Sequence, residues 1–324
     1  MIDLVAEQSP LGGLERWLHD PRVTEVMVNA GRDIWVERDG SLHHVGQMRT
    51  ATLLATIEHL LAPLGRRLDR SHPTVDARLP DGARLCATIE PVAIDGPSLT
   101  IRRFPERHIP LDAFAAAPVL ALLRQLVQRR CNVVVSGATS SGKTTLLNAL
   151  AHEVEAGSRI ITLEDVAELR LAHPHVVRLE TREATPDGVG AITLAHLLRT
   201  ALRMRPDRLV VGEVRGPEAI HLLHALNTGH DGSLSTVHAN SAADALDRLA
   251  GLVAQEANGW PMSAAQHHVA RAIDMVVHVE RVADGTRRVA EVAEVLPAAH
   301  GSTCGVRLLA DRSSVVAIAE RVRR

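Results

Sequence analysis

The chain has 324 residues, long for one compact core, and at roughly 150 residues per domain it predicts two. Its 46% hydrophobic and 23% charged content is that of an ordinary globular protein, and 36 basic against 38 acidic side chains leave a formal charge of −2. That balance excludes the strongly basic footprint of a bulk nucleic-acid binder, and 2% aromatics with no tyrosine leave few stacking platforms for single strands.

The N-terminal "MIDLVAEQSP" has no basic segment followed by a long apolar core, so no signal peptide is expected. "LGGLERWLHD" reads as a helix closed by Asp20-Pro21, and "VTEVMVN" as a strand ending at Asn29–Gly31. "DIWVERDGSLHHV" is a hairpin signal around Asp39-Gly40, where a two-residue turn needs positive φ. "TLLATIEHLLAPLG" spaces its aliphatic residues along one helical face before Pro63 and Gly65. "TVDARLPDGARLCATIEP" is a second hairpin, turned by Pro80-Asp81-Gly82, and "SLTIRRF" a last strand. The two prolines of "PERHIP" read as a linker. The expected organisation is therefore a first domain over 1–104, a linker over 105–112 and a second domain over 113–324.

Beyond the linker, "FAAAPVLALLRQLV" is the richest apolar run, but it contains Pro118 and Arg124 and is too short to span a bilayer. "NVVVSGA", "RIITLED" and "DRLVVGEV" are near-continuous apolar strands of the kind buried on both faces. Between them "TTLLNALAHEVEAG" and "ITLAHLLRTALRMRP" have helical spacing. "GPEAIHLLHALNTG" places Pro217 at its start and Gly229 at its end, and Ser241 and Asp244 stand in capping-box spacing before another helix. This alternation predicts a mainly parallel sheet with helices on both faces. From about 274 the pattern turns β-rich, with "DMVVHVERV" and "RRVAEVAEVL" around Asp284-Gly285. Cys86, Cys131 and Cys304 are odd in number and never form C-x-x-C, so neither a disulfide framework nor a cysteine zinc site is expected, and a reducing cytoplasm fits.

"GATSSGKTT" matches the phosphate-binding pattern G-x-x-x-x-G-K-[ST] through Gly137, Gly142, Lys143 and Thr144, with Ala138, Thr139, Ser140 and Ser141 between the glycines and Thr145 following. A buried strand precedes it and an amphipathic helix follows, so backbone N–H groups and a helix N-terminus can wrap phosphates. Lys143 would neutralise the β- and γ-phosphates, and the Thr144 hydroxyl would hold Mg²⁺. ATP and Mg²⁺ are the expected ligands.

"RMRPDRLVVGEVRG" is an apolar strand with an acid at its C-terminal end, where such a fold needs a carboxylate beside the γ-phosphate. The aspartate usually found before the catalytic acid is replaced by Gly212, which leaves Glu213 as the candidate to orient or deprotonate water. A solvated strand-end acid, or a partner of Arg215, is the other reading of Glu213. The missing metal carboxylate can come from "ITLEDVAEL", because Glu164 and Asp165 end another buried strand and should reach the same sheet edge. "TGHDGSLSTVHANS" sets His230 and His238 eight positions apart, either half a metal site or a sensing loop.

The P-loop, the acidic box, the strand with Glu213 and the histidine box occur in that order, and the chain resembles the type II/IV secretion ATPase superfamily, most closely the Tad/Flp-pilus assembly ATPases. The resemblance spans about 14 to 282 and includes "DPRVTEVMVN" and "HPTVDARLPDGARL". It implies a RecA-like P-loop ATPase domain preceded by a smaller PAS-like α/β domain, with ATP between the two and the subunits in a hexameric ring. His238 is then a catalytic residue of a phosphate-sensing box rather than a zinc ligand. Arg84, Arg102 and Arg103 match positions that face the phosphates. Leu85-Cys86 stands where an Asn-containing strand is common, the four-cysteine insertion of some relatives is absent, and the segment after about 283 matches nothing. Inner-membrane platform proteins are the implied partners of a cytoplasmic motor held peripherally at the membrane. The rival is a nucleic-acid-translocating ATPase of a conjugation-type system, against which charge and aromatic content count.

Overall fold

The computed structural model describes residues 9–103, 109–182, 184, 188–256, 260–282, 284–297 and 304–321. The chain divides into two compact units, 1–107 and 108–324. Most of the "PERHIP" stretch lies outside the described residues.

The first unit is a six-stranded antiparallel sheet of β1 (Val23–Asn29), β2 (Asp33–Arg38), β3 (Ser41–Gln47), β4 (Thr74–Arg78), β5 (Arg84–Thr88) and β6 (Ser98–Arg102), in the order β3-β2-β1-β6-β5-β4. Alternation selects the buried face: Val26, Val28, Ile34, Val36, Leu85, Ala87, Leu99 and Ile101 point into one core with Leu53, Ile57 and Leu61 of helix α2 (Thr50–Leu61). The β2–β3 turn has φ of 50° at Asp39 and 79° at Gly40, the double positive conformation its sequence calls for. The "LGGLERWLHD" helix contracts to α1 (Glu15–Leu18), because Gly12 and Gly13 both take positive φ.

The second unit carries an eight-stranded sheet of β7 (Val133–Gly137), β8 (Ile160–Glu164), β9 (Val176–Glu180), β10 (Arg208–Val211), β11 (Leu234–His238), β12 (Met275–Arg281), β13 (Arg287–Leu296) and β14 (Gly305–Ala310). Its order is β14-β13-β12-β7-β11-β10-β8-β9; the strands from β12 to β9 are parallel, and β13 and β14 are antiparallel additions. Helices cover both faces. Val133, Val135, Val210 and Leu234 pack in one core with α3 (Ala117–Gln128) and α4 (Lys143–His152). Val134, Val211 and Val237 pack in the other with α5 (Leu194–Ala201), α6 (Glu218–Leu226), α7 (Ala242–Glu256) and α8 (Met262–Ala272). The run with Pro118 is α3, with the proline in its first turn where no N–H is needed. Ser241 accepts from the Asp244 N–H at 3.0 Å, as the capping spacing requires. No helix among the described residues is long and apolar enough to cross a membrane.

Candidate active site

Parallel strands deliver their C-terminal ends to one edge, and this topology decides which of the expected residues meet. Gly137 ends β7 and is paired in register with His238, which ends β11. Val211 ends β10 opposite Leu163, so Gly212 and Glu213 leave the sheet beside Glu164 at the end of β8. The P-loop, Glu213, Glu164 and His238 therefore share one sheet edge.

The P-loop joins the fully buried β7 to α4 through residues 138–142, with φ of 60° at Ser140 and 98° at Gly142. Gly142 caps α4, so the unpaired N–H groups of the first turn, which carries Thr144 and Thr145, face the loop. Lys143 donates through Nζ to the carbonyls of Gly137 at 3.1 Å and Ala138 at 2.8 Å. Partial burial lowers its pKa, and the Glu213 carboxylate opposes that shift. Thr139 and Ser140 are exposed on the loop, whereas the Ser141 hydroxyl is buried without a hydrogen-bond partner.

Gly212 accounts for the departure from the usual acidic pair. A Cβ at this position would stand 2.9 Å from Glu164 Cγ, so the space an aspartate needs is taken by Glu164. Glu164 is 2% exposed; its Oε1 accepts from the N–H groups of Glu168 and Leu169 at 2.9 and 2.8 Å, while Oε2 is buried without a hydrogen-bond partner. Burial pushes its pKa up to about 7 against the pull of those two N–H groups. Glu213 is more open and pairs with Arg215 at 2.9 Å, and Arg215 reaches Asp165 at 3.3 Å. Sequence reasoning missed the residue that shapes this loop. Glu218 is 5% exposed and accepts from the N–H groups of Arg215 and Gly216 at 2.6 and 2.8 Å, fixing the turn after Glu213.

The histidine box is not one loop. Its second half is β11, between β7 and β10, and its Thr236 hydroxyl donates to the Gly212 carbonyl at 2.6 Å. His238 ends that strand at the P-loop edge, whereas His230 precedes it and lies near the Ala225 carbonyl, 3.1 Å away at the end of α6. The two imidazoles are at opposite ends of a five-residue strand, roughly 15 Å of rise, too far for one metal ion. Beneath the P-loop, the buried Ser136 hydroxyl pairs with His278 Nδ1 at 2.9 Å, a contact no motif signals.

The model of the family described as "Type II/IV secretion system protein" matches residues 7–321. The chain belongs to that family. Among relatives, the putative conjugal transfer protein Rv3659c of Mycobacterium tuberculosis (strain ATCC 25618 / H37Rv) is 40% identical over 312 residues, 92% of this chain and 88% of that one. The conjugal transfer protein TrbB of Rhizobium radiobacter is 37% identical over 86% and 85% of the two chains, and the type IV secretion system protein VirB11 of Brucella suis is 33% identical over 86% and 87%. Two solved structures share the fold at low identity. They are the ATPase DotB of Yersinia pseudotuberculosis (TM-score 0.62, 20% identity, 89% of this chain and 80% of that one) and the pilus retraction motor PilT with ADP (TM-score 0.61, 19%, 94% and 83%). The fold is accordingly the one the resemblance implies, a RecA-like P-loop domain after a smaller PAS-like α/β domain. The family match extends to 321, beyond the point near 283 where the sequence reading finds no likeness, and so takes in β13 and β14.

The arginines that resemblance nominates in the first unit are placed differently from one another. Arg84 and Arg102 are register partners on β5 and β6, both exposed, with Asp76 3.9 Å from the first and Glu25 3.6 Å from the second. Arg103 donates to the carbonyls of Asp20 at 2.7 Å and Val23 at 3.3 Å, which ties the end of β6 to the segment before β1.

Proposed function

We propose that this family member is an ATP-hydrolysing motor that powers assembly of a pilus or secretion apparatus. The observation that carries the reading is the placing of a P-loop with Lys143 and a strand-end Glu213 on one edge of a parallel sheet. It is a P-loop ATPase. Phosphoryl transfer to water needs positioning and charge stabilisation rather than covalent chemistry. Residues 137–145 wrap the phosphate chain, Lys143 balances charge on the β- and γ-phosphates, and Glu213 holds the attacking water. The orphaned Ser141 hydroxyl and the ring of loop N–H groups are donors of the kind phosphate oxygens accept. Thr144 and Glu164 offer the oxygen donors that Mg²⁺ prefers, and the unpartnered Oε2 of Glu164 fits that role. Mg²⁺, when bound, supplies charge neutralisation on the leaving phosphates. His238, at the same edge, reports the state of the γ-phosphate. Arg84, Arg102 and Arg103 are carried as phosphate-facing residues on the family resemblance.

At finer grain the proposal is a hexameric ring of a Tad/Flp-type or type IV system, held at the cytoplasmic face of a membrane by platform proteins. A second reading is favoured by the relatives' names: four that cover 86–92% of the chain are named as conjugal transfer proteins, three of them as putative or probable ones. In that reading the motor moves nucleic acid, and single-stranded DNA should stimulate its ATPase with a steep salt dependence. The −2 net charge and 2% aromatic content favour the first reading. The experiment that tests the core of both is binding of Mg-ATP to Lys143→Ala. The variant should lose tight binding, and parent-level affinity would remove the P-loop from the mechanism.

A further inference from the structure

The β12–β13 hairpin closes at the P-loop edge, because β12 runs parallel to β7 with His278 opposite Ser136. Hydrogen bonds hold the described residues of its turn. Gly285 N–H donates to Val282 O at 2.9 Å, and the Asp284 carboxylate accepts from the N–H and hydroxyl of Thr286 at 2.8 and 2.6 Å. The strand that leaves this turn starts at Arg287, whose half-buried side chain lies over the P-loop. A Cβ built on Gly142 would stand 2.5 Å from Arg287 Cδ and 3.3 Å from its Nε. Among the described residues, the Arg287 side chain has no ion pair or hydrogen bond.

This placement gathers positive charge at one spot. Gly142 caps α4, whose N-terminus carries the positive end of the helix dipole, and Lys143 follows immediately. A guanidinium brought to the same spot adds a third positive element, and Glu213 lies on the other flank, beyond β7 and β11. An anion between the loop and Arg287 is attracted by all three.

Resting on the ATPase reading, we propose that Arg287 is a nucleotide-binding residue whose guanidinium grips the phosphate chain at its α-phosphate end. Its planar fork suits two phosphate oxygens. Because it approaches from the flank away from Glu213, it contacts the part of the chain that ATP and ADP share. It therefore sets how tightly both are retained, rather than recognising the γ-phosphate.

The test is calorimetric titration of the full chain with Mg-ADP and Mg-ATP. Arg287→Ala should weaken both by roughly ten- to a hundredfold, the range of a charge-assisted contact. Arg287→Lys should lose less, and Arg288→Ala, at the exposed next position, should bind as the parent does. Without nucleotide, Arg287→Ala should melt at or above the parent's temperature, since it removes a cation from a helix N-terminus. If the alanine variant does not fold, Arg287→Gln keeps a side chain over Gly142 and carries the same comparison. Unchanged ADP affinity overturns the proposal, as does a loss confined to ATP. A parent chain that binds neither nucleotide overturns the ATPase reading itself, a separate result.

Discussion

Gly212 stands where a P-loop ATPase commonly carries an aspartate, and Glu164 from the neighbouring strand fills the space that aspartate would need. The carboxylate has moved one strand over, not disappeared. A methyl group at 212 would meet Glu164 Cγ at 2.9 Å and Cβ at 3.5 Å, and overpacking of this kind costs about 1–3 kcal/mol. Gly212→Ala should therefore lower stability by that amount, and Glu164→Ala, which removes the crowding Cγ, should relieve part of it. In urea denaturation the double variant should be more stable than the sum of single effects requires, because the residues share one space. Strictly additive penalties would show that the two side-chain positions are independent.

At the scale of elements, legibility followed local signal strength. β7, β8 and β10 are near-continuous apolar runs and were readable, as were the hairpin turn at Asp39-Gly40 and the helix start at Ser241. The central strand β11 was hidden because "LSTVH" buries Ser235 and Thr236, polar residues that only tertiary partners such as the Gly212 carbonyl satisfy. The edge strand β9 is half-buried and short, and Glu218 and Arg287 act through contacts distant in sequence from any motif. His278 on β12 is another such residue. Burial holds its pKa below 6.5, with Glu291, Glu280 and Asp244 opposing the shift and Lys143 adding to it. A depressed histidine takes up its proton more readily in the unfolded chain, so its contribution is present above pH 6.5 and lost as pH falls. The parent's melting temperature should fall between pH 7.5 and 5.5 more steeply than that of His278→Asn, which keeps a polar partner for Ser136. Parallel slopes would place the acid sensitivity elsewhere.

For the whole molecule, the family match over 7–321 spans both compact units, and the P-loop, Glu213, Glu164 and His238 all lie in the larger one, at the edge where its parallel strands end. That edge is a hydrolytic site only if binding and turnover can be separated there. The pair of residues that should separate them is Lys143, proposed to hold phosphates, and Glu213, proposed to act on water. Steady-state hydrolysis of saturating Mg-ATP by Glu213→Gln, measured together with its nucleotide affinity, is the most direct test. The variant should bind ATP as the parent does and turn over slower by a factor of roughly 10² to 10⁴, the usual contribution of a positioned acid or base. Hydrolysis at the parent's rate would contradict the assignment of Glu213 and move the catalytic role to another residue of the same edge.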